Sequence, residues 1–417
     1  MFPNIIKLGL ERMQILLTHL DQPQDSLFEL NPKFRLVHIT GTNGKGSTAE
    51  MVASGLVGKV GIFTSPFLVD ETDAIRVFDS GKARSIGKEE MREAQDRIGA
   101  VSQRHMSLNP PTDFEALVAV ALLFFESQNL DFLVVEVGMG GARDATNVFQ
   151  KHSSRVVAVL TGVSLDHQAF LGNTVEEICN EKCGIFPPDG VAIVSATVPC
   201  MHVVNRMCKE RKVRECILVS NGVSVPTPFN GEHQKLLMQI AIEAARQCDI
   251  SADTPTLIRS IQKAKLPGRM ERRASDFPFP LILDGAHNAE SAVALRTFLD
   301  AELATSNCDN VLFILATSKG RESIIPLLLK PEDQCVCIEF KAEGTVKWVQ
   351  SCSAEEIAVL ANQVSSNVTL LEGKFVGGAL EYIQNHPHLR ERSLVVVAGS
   401  LYLVRDYLRH VSGWVAS

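Results

Sequence analysis

Short apolar runs recur along this chain, four to six residues at a time: RLVHIT (35–40), VGIFT (60–64), FLVVEV (132–137), VVAVLT (156–161), LILD (281–284), VLFILA (311–316), CVCIEF (335–340) and LVVVAG (394–399). Most show no regular polar alternation, which is the pattern of strands buried on both faces. Helix-length segments separate them, including an amphipathic opening at MFPNIIKLGLERMQILLTHL and a longer helical pattern over 232–247. Strand and helix in alternation predict the α/β class with parallel sheets, whose ligands gather beyond the carboxyl ends of the strands. The residues that follow each run are therefore where chemistry is sought.

At 417 residues the chain is long enough for at least two cores. Pro, Gly and charge cluster in KLPGRMERRASDFPFP (265–280), between a helical pattern and a fresh strand–helix series. The expected organisation is a first domain over 1–272, a hinge over 273–280 and a smaller second domain over 281–417. With 45% hydrophobic and 21% charged residues the composition is that of a packed protein rather than a disordered one. A net charge of -7 argues against nucleic acid as the main partner but leaves room for a local phosphate site. The opening segment lacks the apolar core of a secretory signal and the bias of a transit peptide, and no window reaches the roughly 18–20 apolar residues of a membrane span. A cytoplasmic protein without membrane contact is expected. All ten cysteines follow residue 178 without a C-x-x-C pair, so reduced packing thiols are expected rather than disulfides or a metal framework.

The segment HITGTNGKGST (38–48) follows the first run. Gly41, Gly44 and Gly46 let the backbone turn and present N–H groups, Lys45 adds a cation, and Ser47 and Thr48 open a helix whose N-terminus favours anions. A plain structural turn is the other reading; the strand before and the helix after favour a phosphate cradle. It is not a strict G-x-x-x-x-G-K-[ST] loop, because Ile39 stands at the first glycine position and Gly46 separates Lys45 from Ser47. Glu136 ends the run at 132–137 and precedes a glycine loop, so it is either a hard ligand for Mg²⁺ at nucleotide phosphates or an acid facing water. A third stretch, 160–186, offers Asp166, His167 and Lys182, with His167 a ligand or an ordinary loop histidine. Further on, Arg269 precedes LILDGAHNAES (281–291), where Asp284, His287 and Asn288 suit a ribose, a base or a phosphate. Asn288 equally suits a helix cap, and Arg269 a solvated surface.

In this order, GTNGKGS (41–47), TSPFL (64–68), DFE (113–115), EVGMGGARDATNV (136–148), LDHQAFLGNTVEEICNEKCGIF (165–186), PGR (267–269), DGAHN (284–288) and AGSLYLV (398–404) resemble the motifs of the folylpolyglutamate synthase and dihydrofolate synthase branch of the Mur ligase superfamily, over nearly the whole chain. The resemblance implies a Mur-ligase-type P-loop ATPase domain with a mostly parallel sheet, then a smaller Rossmann-like α/β domain. It implies an ATP- and Mg²⁺-dependent amide ligase that activates a carboxylate as an acyl phosphate for attack by L-glutamate. Carried over by position, ATP falls to Gly44, Lys45, Gly46 and Ser47 with Arg269, Asp284 and His287 from the second domain. The magnesium ligands become Ser65, Glu136 and His167. Lys182 takes the place of the family's carbamylated lysine, and Lys45, His167 and Lys182 carry the catalysis. The pterin-bearing acceptor falls to Thr112, Asp113, Phe114 and Glu115 with Arg143, Asp144 and Ala145. The implied partners are small molecules, and a monomer is expected.

Several positions depart from the family pattern. The histidine of TSPHL is Phe67, the arginine of GGRLDATN is Ala142 with Arg143 one place on, an adenine-facing Asn is Leu237, and the second domain carries SKGRE at 318–322. GTNGKGS in place of GTKGKGS, DETDAIRV (70–77) and Trp348 after an FxxxGxxxW pattern point to the fungal type of dihydrofolate synthase, with folate polyglutamylation as the competing activity. A non-catalytic binder of folate or nucleotide is the reading from a different class. The retained Lys45, Ser65, Glu136, His167, Lys182, Arg269 and Asp284 weigh against it.

Overall fold

The computed structural model describes residues 7–79, 82–222, 225–249, 253–274, 279–341, 349–371, 373 and 375–411. Trp348 lies outside them, as do the first six residues of the amphipathic opening, whose helix is seen over Glu11–Thr18. Two compact units are present. The first runs to Pro228 and resumes over Gln234–Lys265; the second comprises Phe229–His233 and continues from Leu266.

Among the described residues the first unit holds eight strands: β1 (Arg35–Thr40), β2 (Val60–Phe63), β3 (Ile75–Asp79), β4 (Lys82–Ser85), β5 (Phe132–Glu136), β6 (Val156–Leu160), β7 (Val191–Ser195) and β8 (Glu215–Val219). Their order across the sheet is β4-β3-β2-β5-β1-β6-β7-β8. All neighbours are parallel except β2–β3 and β3–β4. Apolar clusters cover both faces of the centre, one around Phe28, Phe34 and Phe125, the other around Val137, Ile178 and Phe186. This is why the central runs carry no polar alternation. The chain leaves β1 toward β2 on one side and leaves β6 toward β7 on the other. Register places Ile39 beside Glu136 and Thr40 beside Leu160, so β1, β5 and β6 end together. Loops departing in opposite directions from adjacent strand ends open a crevice there.

The second unit holds β9 (Glu271–Arg273), β10 (Leu281–Leu283), β11 (Asn310–Leu315), β12 (Gln334–Cys337), β13 (Asn367–Leu370) and β14 (Ser393–Ala398), in the order β13-β12-β11-β14-β10-β9. Only β9 is antiparallel to its neighbour. Residues 266–272, read from sequence as the end of the first domain, fall in the second unit, and Arg273 of the expected hinge completes β9. Pro and Gly mark the turn at 267–268, and the charged triplet beyond it pairs as an edge strand. All ten cysteines are free thiols.

Candidate active site

The loop after β1 is fixed by the loop after β6. Thr161 donates its Oγ1 hydrogen to Asn43 O at 2.6 Å, Thr42 N–H donates to Gly162 O at 3.0 Å, and Ser164 N–H donates to Thr42 Oγ1 at 3.0 Å. Gly41 has φ +152°, and a Cβ there would lie 1.9 Å from Thr161 Oγ1, so only glycine can let the two loops meet. Gly44 (φ +84°) is the N-cap of the helix Lys45–Gly55, with Leu237 packed where its Cβ would be. No side chain caps that helix and no acid sits in its first turn, so its first N–H groups face the loop unopposed. Lys45 Nζ curls over the loop, 3.1 Å from Gly41 O and 3.3 Å from Thr42 O. Ser47 is buried, and Gln234 Nε2 lies 3.5 Å from its Oγ.

Glu136, 5% exposed, closes β5 and accepts the Ser65 N–H at 3.1 Å. Ser65 Oγ is buried without a hydrogen-bond partner, an orphaned hard donor beside a carboxylate. No three His, Cys, Asp or Glu side chains gather into a metal centre among the described residues. Mg²⁺ is nevertheless suited to such a place, since it binds through one or two carboxylates and completes its shell with water and substrate phosphate. His167 adopts left-handed backbone (φ +51°), its Nε2 is 3.8 Å from Asp166 Oδ2, and its ring is about one-third exposed. Lys182 ends the helix Val175–Lys182 and points inward, donating to Gly41 O at 2.9 Å. Burial, reinforced by the Lys45 cation, pulls its pKa down to about 7 against the opposing pull of Asp166, Asp144 and Glu181. Two amines of different character therefore reach one loop.

The residues expected at the acceptor have internal partners. Thr112 caps the helix Asp113–Glu126 by accepting the Glu115 N–H, and Glu115 accepts the Thr112 N–H in return. Both Glu115 oxygens also take Arg12, at 2.8 Å each, in a buried pair. Phe114 lies over Gly138, where any Cβ would be 2.3 Å from its ring, so the start of this helix is fitted to the glycine loop after β5. Asp113 has its pKa raised, by burial first and then by Glu71. Asp144 is buried and accepts from Met139 N–H, Thr146 N–H and Thr146 Oγ1; burial raises its pKa. Thr146 Oγ1 lies 2.9 Å from His38 Nε2, and burial pushes that imidazole down to about 3, so it is neutral. Ala145 is buried, whereas Arg143 reaches the surface and pairs with Glu181.

In the second unit Asp284 follows β10 and accepts the Met270 and Ala286 N–H groups, both at 2.8 Å. Burial raises its pKa to about 6, opposed by Arg269 and those two N–H groups. Gly285 lies under Arg269, whose Nη1 would be 3.1 Å from a Cβ there, and Arg269 also donates to Gly268 O at 3.1 Å. The His287 Nδ1 meets Gly285 O at 2.9 Å. Asn288 caps the helix Ala289–Thr305, the local reading that sequence left open. DGAHN thus gathers Arg269, Asp284 and His287 around one turn.

Sequence reasoning overlooked Thr161, Gln234 as a neighbour of Ser47, and Arg76. Arg76 is buried, pairs with Glu50 of the helix Lys45–Gly55 and donates to Asp73 O at 3.0 Å. Only strand order brings Thr161 beside Gly41. An arginine inside an apolar run, as in AIRV, is the signal that would have singled out Arg76.

Residues 39–230 match the Mur ligase middle domain, and residues 269–410 the dihydrofolate synthetase C-terminal domain. A dihydrofolate synthetase of Saccharomyces cerevisiae is 31% identical, covering 97% of this chain and 98% of its own length. A dihydrofolate synthase/folylpolyglutamate synthase of Bacillus subtilis is also 31% identical, over 96% of this chain and 94% of its own. E. coli FolC in complex with DHPP and ADP superposes with a TM-score of 0.76 at 25% identity, covering 97% of this chain and 94% of that one.

Proposed function

The chain belongs to the dihydrofolate synthase and folylpolyglutamate synthase family of Mur ligases, and from that premise we propose that it joins L-glutamate to 7,8-dihydropteroate, converting ATP to ADP and phosphate and yielding dihydrofolate. The observation that carries this reading is the crevice where β1, β5 and β6 end, with its glycine loop, two inward lysines and a carboxylate beside an orphaned hydroxyl. Such a crevice can seat a triphosphate and neutralise charge as it moves.

In the first step a carboxylate oxygen of dihydropteroate attacks the γ-phosphorus, the bond to the ADP oxygen breaks, and an acyl phosphate forms. The glutamate amine then attacks the acyl carbon, phosphate departs with the bonding pair, and the amine gives up its proton. A carboxylate alone has only oxide to expel, which explains the detour. No protein nucleophile is needed, so the chain's contribution is placement and charge. The N–H groups at Gly44 to Ser47 hold the phosphates, and Lys45 offsets the charge that gathers as phosphorus is transferred. Ser65, Glu136 and His167 are the residues that would hold Mg²⁺, which supplies further neutralisation of the phosphate oxygens when bound. We assign Arg269, Asp284 and His287 to ATP binding as well, and residues 112–115 and 143–145 to the acceptor region.

Lys182 is assigned as the carbamylated lysine. Its amine, held to a pKa of about 7, is substantially neutral at physiological pH and can add to CO₂ with loss of a proton. A carbamate signal from ¹³C-bicarbonate that disappears in Lys182→Met supports this, and an unchanged signal refutes it.

The B. subtilis relative carries both activities in its name, so extension of a folate glutamate tail is the second reading. Offering dihydropteroate and tetrahydrofolate in parallel separates the two. Turnover with dihydropteroate alone is expected, and preference for tetrahydrofolate reverses the assignment.

A further inference from the structure

Beyond Arg35 at its start, β1 carries two polar side chains, His38 and Thr40, which lie on one face of the strand because they are two residues apart. Both are buried, where valine or isoleucine would fill the space without a polar cost. Both are spent on the glycine loop after β5. Thr40 Oγ1 donates to Gly140 O at 2.6 Å, and His38 Nε2 lies 2.9 Å from Thr146 Oγ1. Thr146 Oγ1 lies in turn 2.5 Å from Asp144 Oδ1, which also accepts the Thr146 N–H, while Asp144 Oδ2 accepts the Met139 N–H. The loop is also tied to the helix Val175–Lys182, through Ala142 N–H to Glu181 O at 2.8 Å and Arg143 N–H to Glu181 Oε1 at 3.0 Å. β1 and that helix therefore both hold it. Within the His38, Thr146 and Asp144 series every side chain is buried, so each hydrogen must be accounted for inside the protein.

We propose that His38 and Thr146 are positioning residues for the acceptor: His38 donates from Nε2 to the Thr146 hydroxyl, and that hydroxyl holds Asp144, and with it the loop 138–146, in the form that receives dihydropteroate. The proposal rests on the reading that residues 143–145 belong to the acceptor region. The direction of the hydrogen bonds follows from the groups themselves. Backbone N–H groups can only donate, so those of Met139 and Thr146 favour Asp144 as a carboxylate, and 2.5 Å is the length of a hydroxyl bonded to a charged oxygen. Burial raises the Asp144 pKa, and the Thr146 hydroxyl is first among the groups that oppose it. The one hydroxyl hydrogen of Thr146 is then spent on Asp144, and its contact with His38 requires a hydrogen on Nε2. The imidazole is neutral through burial, which leaves Nδ1 without a proton. Removing the Thr146 hydroxyl takes a donor from a buried carboxylate and cuts the loop from His38. Since β1 runs directly into the phosphate loop, one strand sets both loops.

Two measurements on the full-length protein test this. Long-range ¹H–¹⁵N spectra of histidine-labelled protein without substrate, with the His38 signals assigned by their loss in His38→Gln, should show Nε2 protonated and Nδ1 bare at neutral pH; a proton on Nδ1 overturns the proposal. Steady-state kinetics then compare Thr146→Val, which keeps the branched shape and loses the hydroxyl, with Thr146→Ser, which keeps the hydroxyl. Thr146→Val should raise the KM for dihydropteroate about tenfold and leave the KM for ATP within about twofold, with Thr146→Ser close to the unsubstituted protein. Equal rises in both KM values, or a rise that Thr146→Ser shares, would mark a general loss of structure and overturn the positioning role. Normal turnover of dihydropteroate by the unsubstituted protein with an unaltered Thr146→Val overturns the proposal alone. No turnover of dihydropteroate by the unsubstituted protein overturns the acceptor reading, and the proposal falls with it.

Discussion

Lys45 and Lys182 meet the same carbonyl, Gly41 O, yet they belong to different electrostatic settings. Lys45 leads the helix and is the cation proposed to meet the phosphates, so Lys45→Ala should lower kcat by about 10²–10³-fold while the melting temperature holds. Near-normal turnover would remove it from the mechanism. Lys182 predicts a stability effect with a definite sign. Its folded pKa is about 7, below the ordinary lysine value of 10.5. Between those values the unfolded chain holds a proton that the folded chain has released, so stability rises with pH in that window; below it the cost of a buried cation is fully present. In bicarbonate-free buffer, where the amine is not carbamylated, urea unfolding of the protein and of Lys182→Met should therefore show wild type gaining on the variant from about pH 7 to about pH 9. Parallel curves would contradict the burial of a charged amine. Gly41 was legible as a tight-turn residue, but its reason was not. The clash with Thr161 arises only because β6 lies next to β1, a fact of strand order. Gly41→Ala should raise the KM for ATP or unfold the loop, while Gly162→Ala, with no atom within 4 Å of the added methyl, should be tolerated.

At the scale of elements, the eight apolar runs all became strands, and four of the six other strands escaped notice for a common cause. β4, β8, β9 and β13 are the four outer strands of the two sheets. Their sequences, KARS, ECILV, ERR and NVTL, are partly solvated, and so lack the apolar run that marks a strand covered on both faces. β3 is interrupted by Arg76, whose partner Glu50 comes from the helix Lys45–Gly55. The helix Asp113–Glu126 shows how an element can occupy a residue expected to serve a ligand. Glu115 caps it and takes a bidentate bond from Arg12 in the interior. Arg12→Ala leaves that carboxylate buried and unpaired and should cost about 3–5 kcal/mol of unfolding free energy. The double variant Arg12→Met with Glu115→Leu should recover much of the loss. If Arg12→Ala is neutral in urea, the pair is not a structural anchor and Glu115 is available to the acceptor.

Over the whole molecule, the order of motifs along the chain and full-length likeness to a fungal synthetase point the same way. Each unit carries its own turn at a strand end: glycines, Lys45 and Glu136 in the first, Arg269, Asp284 and His287 in the second. The departures at Phe67, Ala142 and Leu237 leave this set intact. Leu237 packs against Gly44, where an apolar side chain fits the close approach. The central claim is that these parts make a glutamate ligase with dihydropteroate as acceptor. Its most direct test is phosphate release by the purified protein with ATP and Mg²⁺, with each remaining substrate omitted in turn. Release that requires both dihydropteroate and L-glutamate, accompanied by dihydrofolate in equal amount, is the predicted result. ATP binding without phosphate release, whichever acceptor is supplied, would contradict it and leave the chain a binder rather than an enzyme.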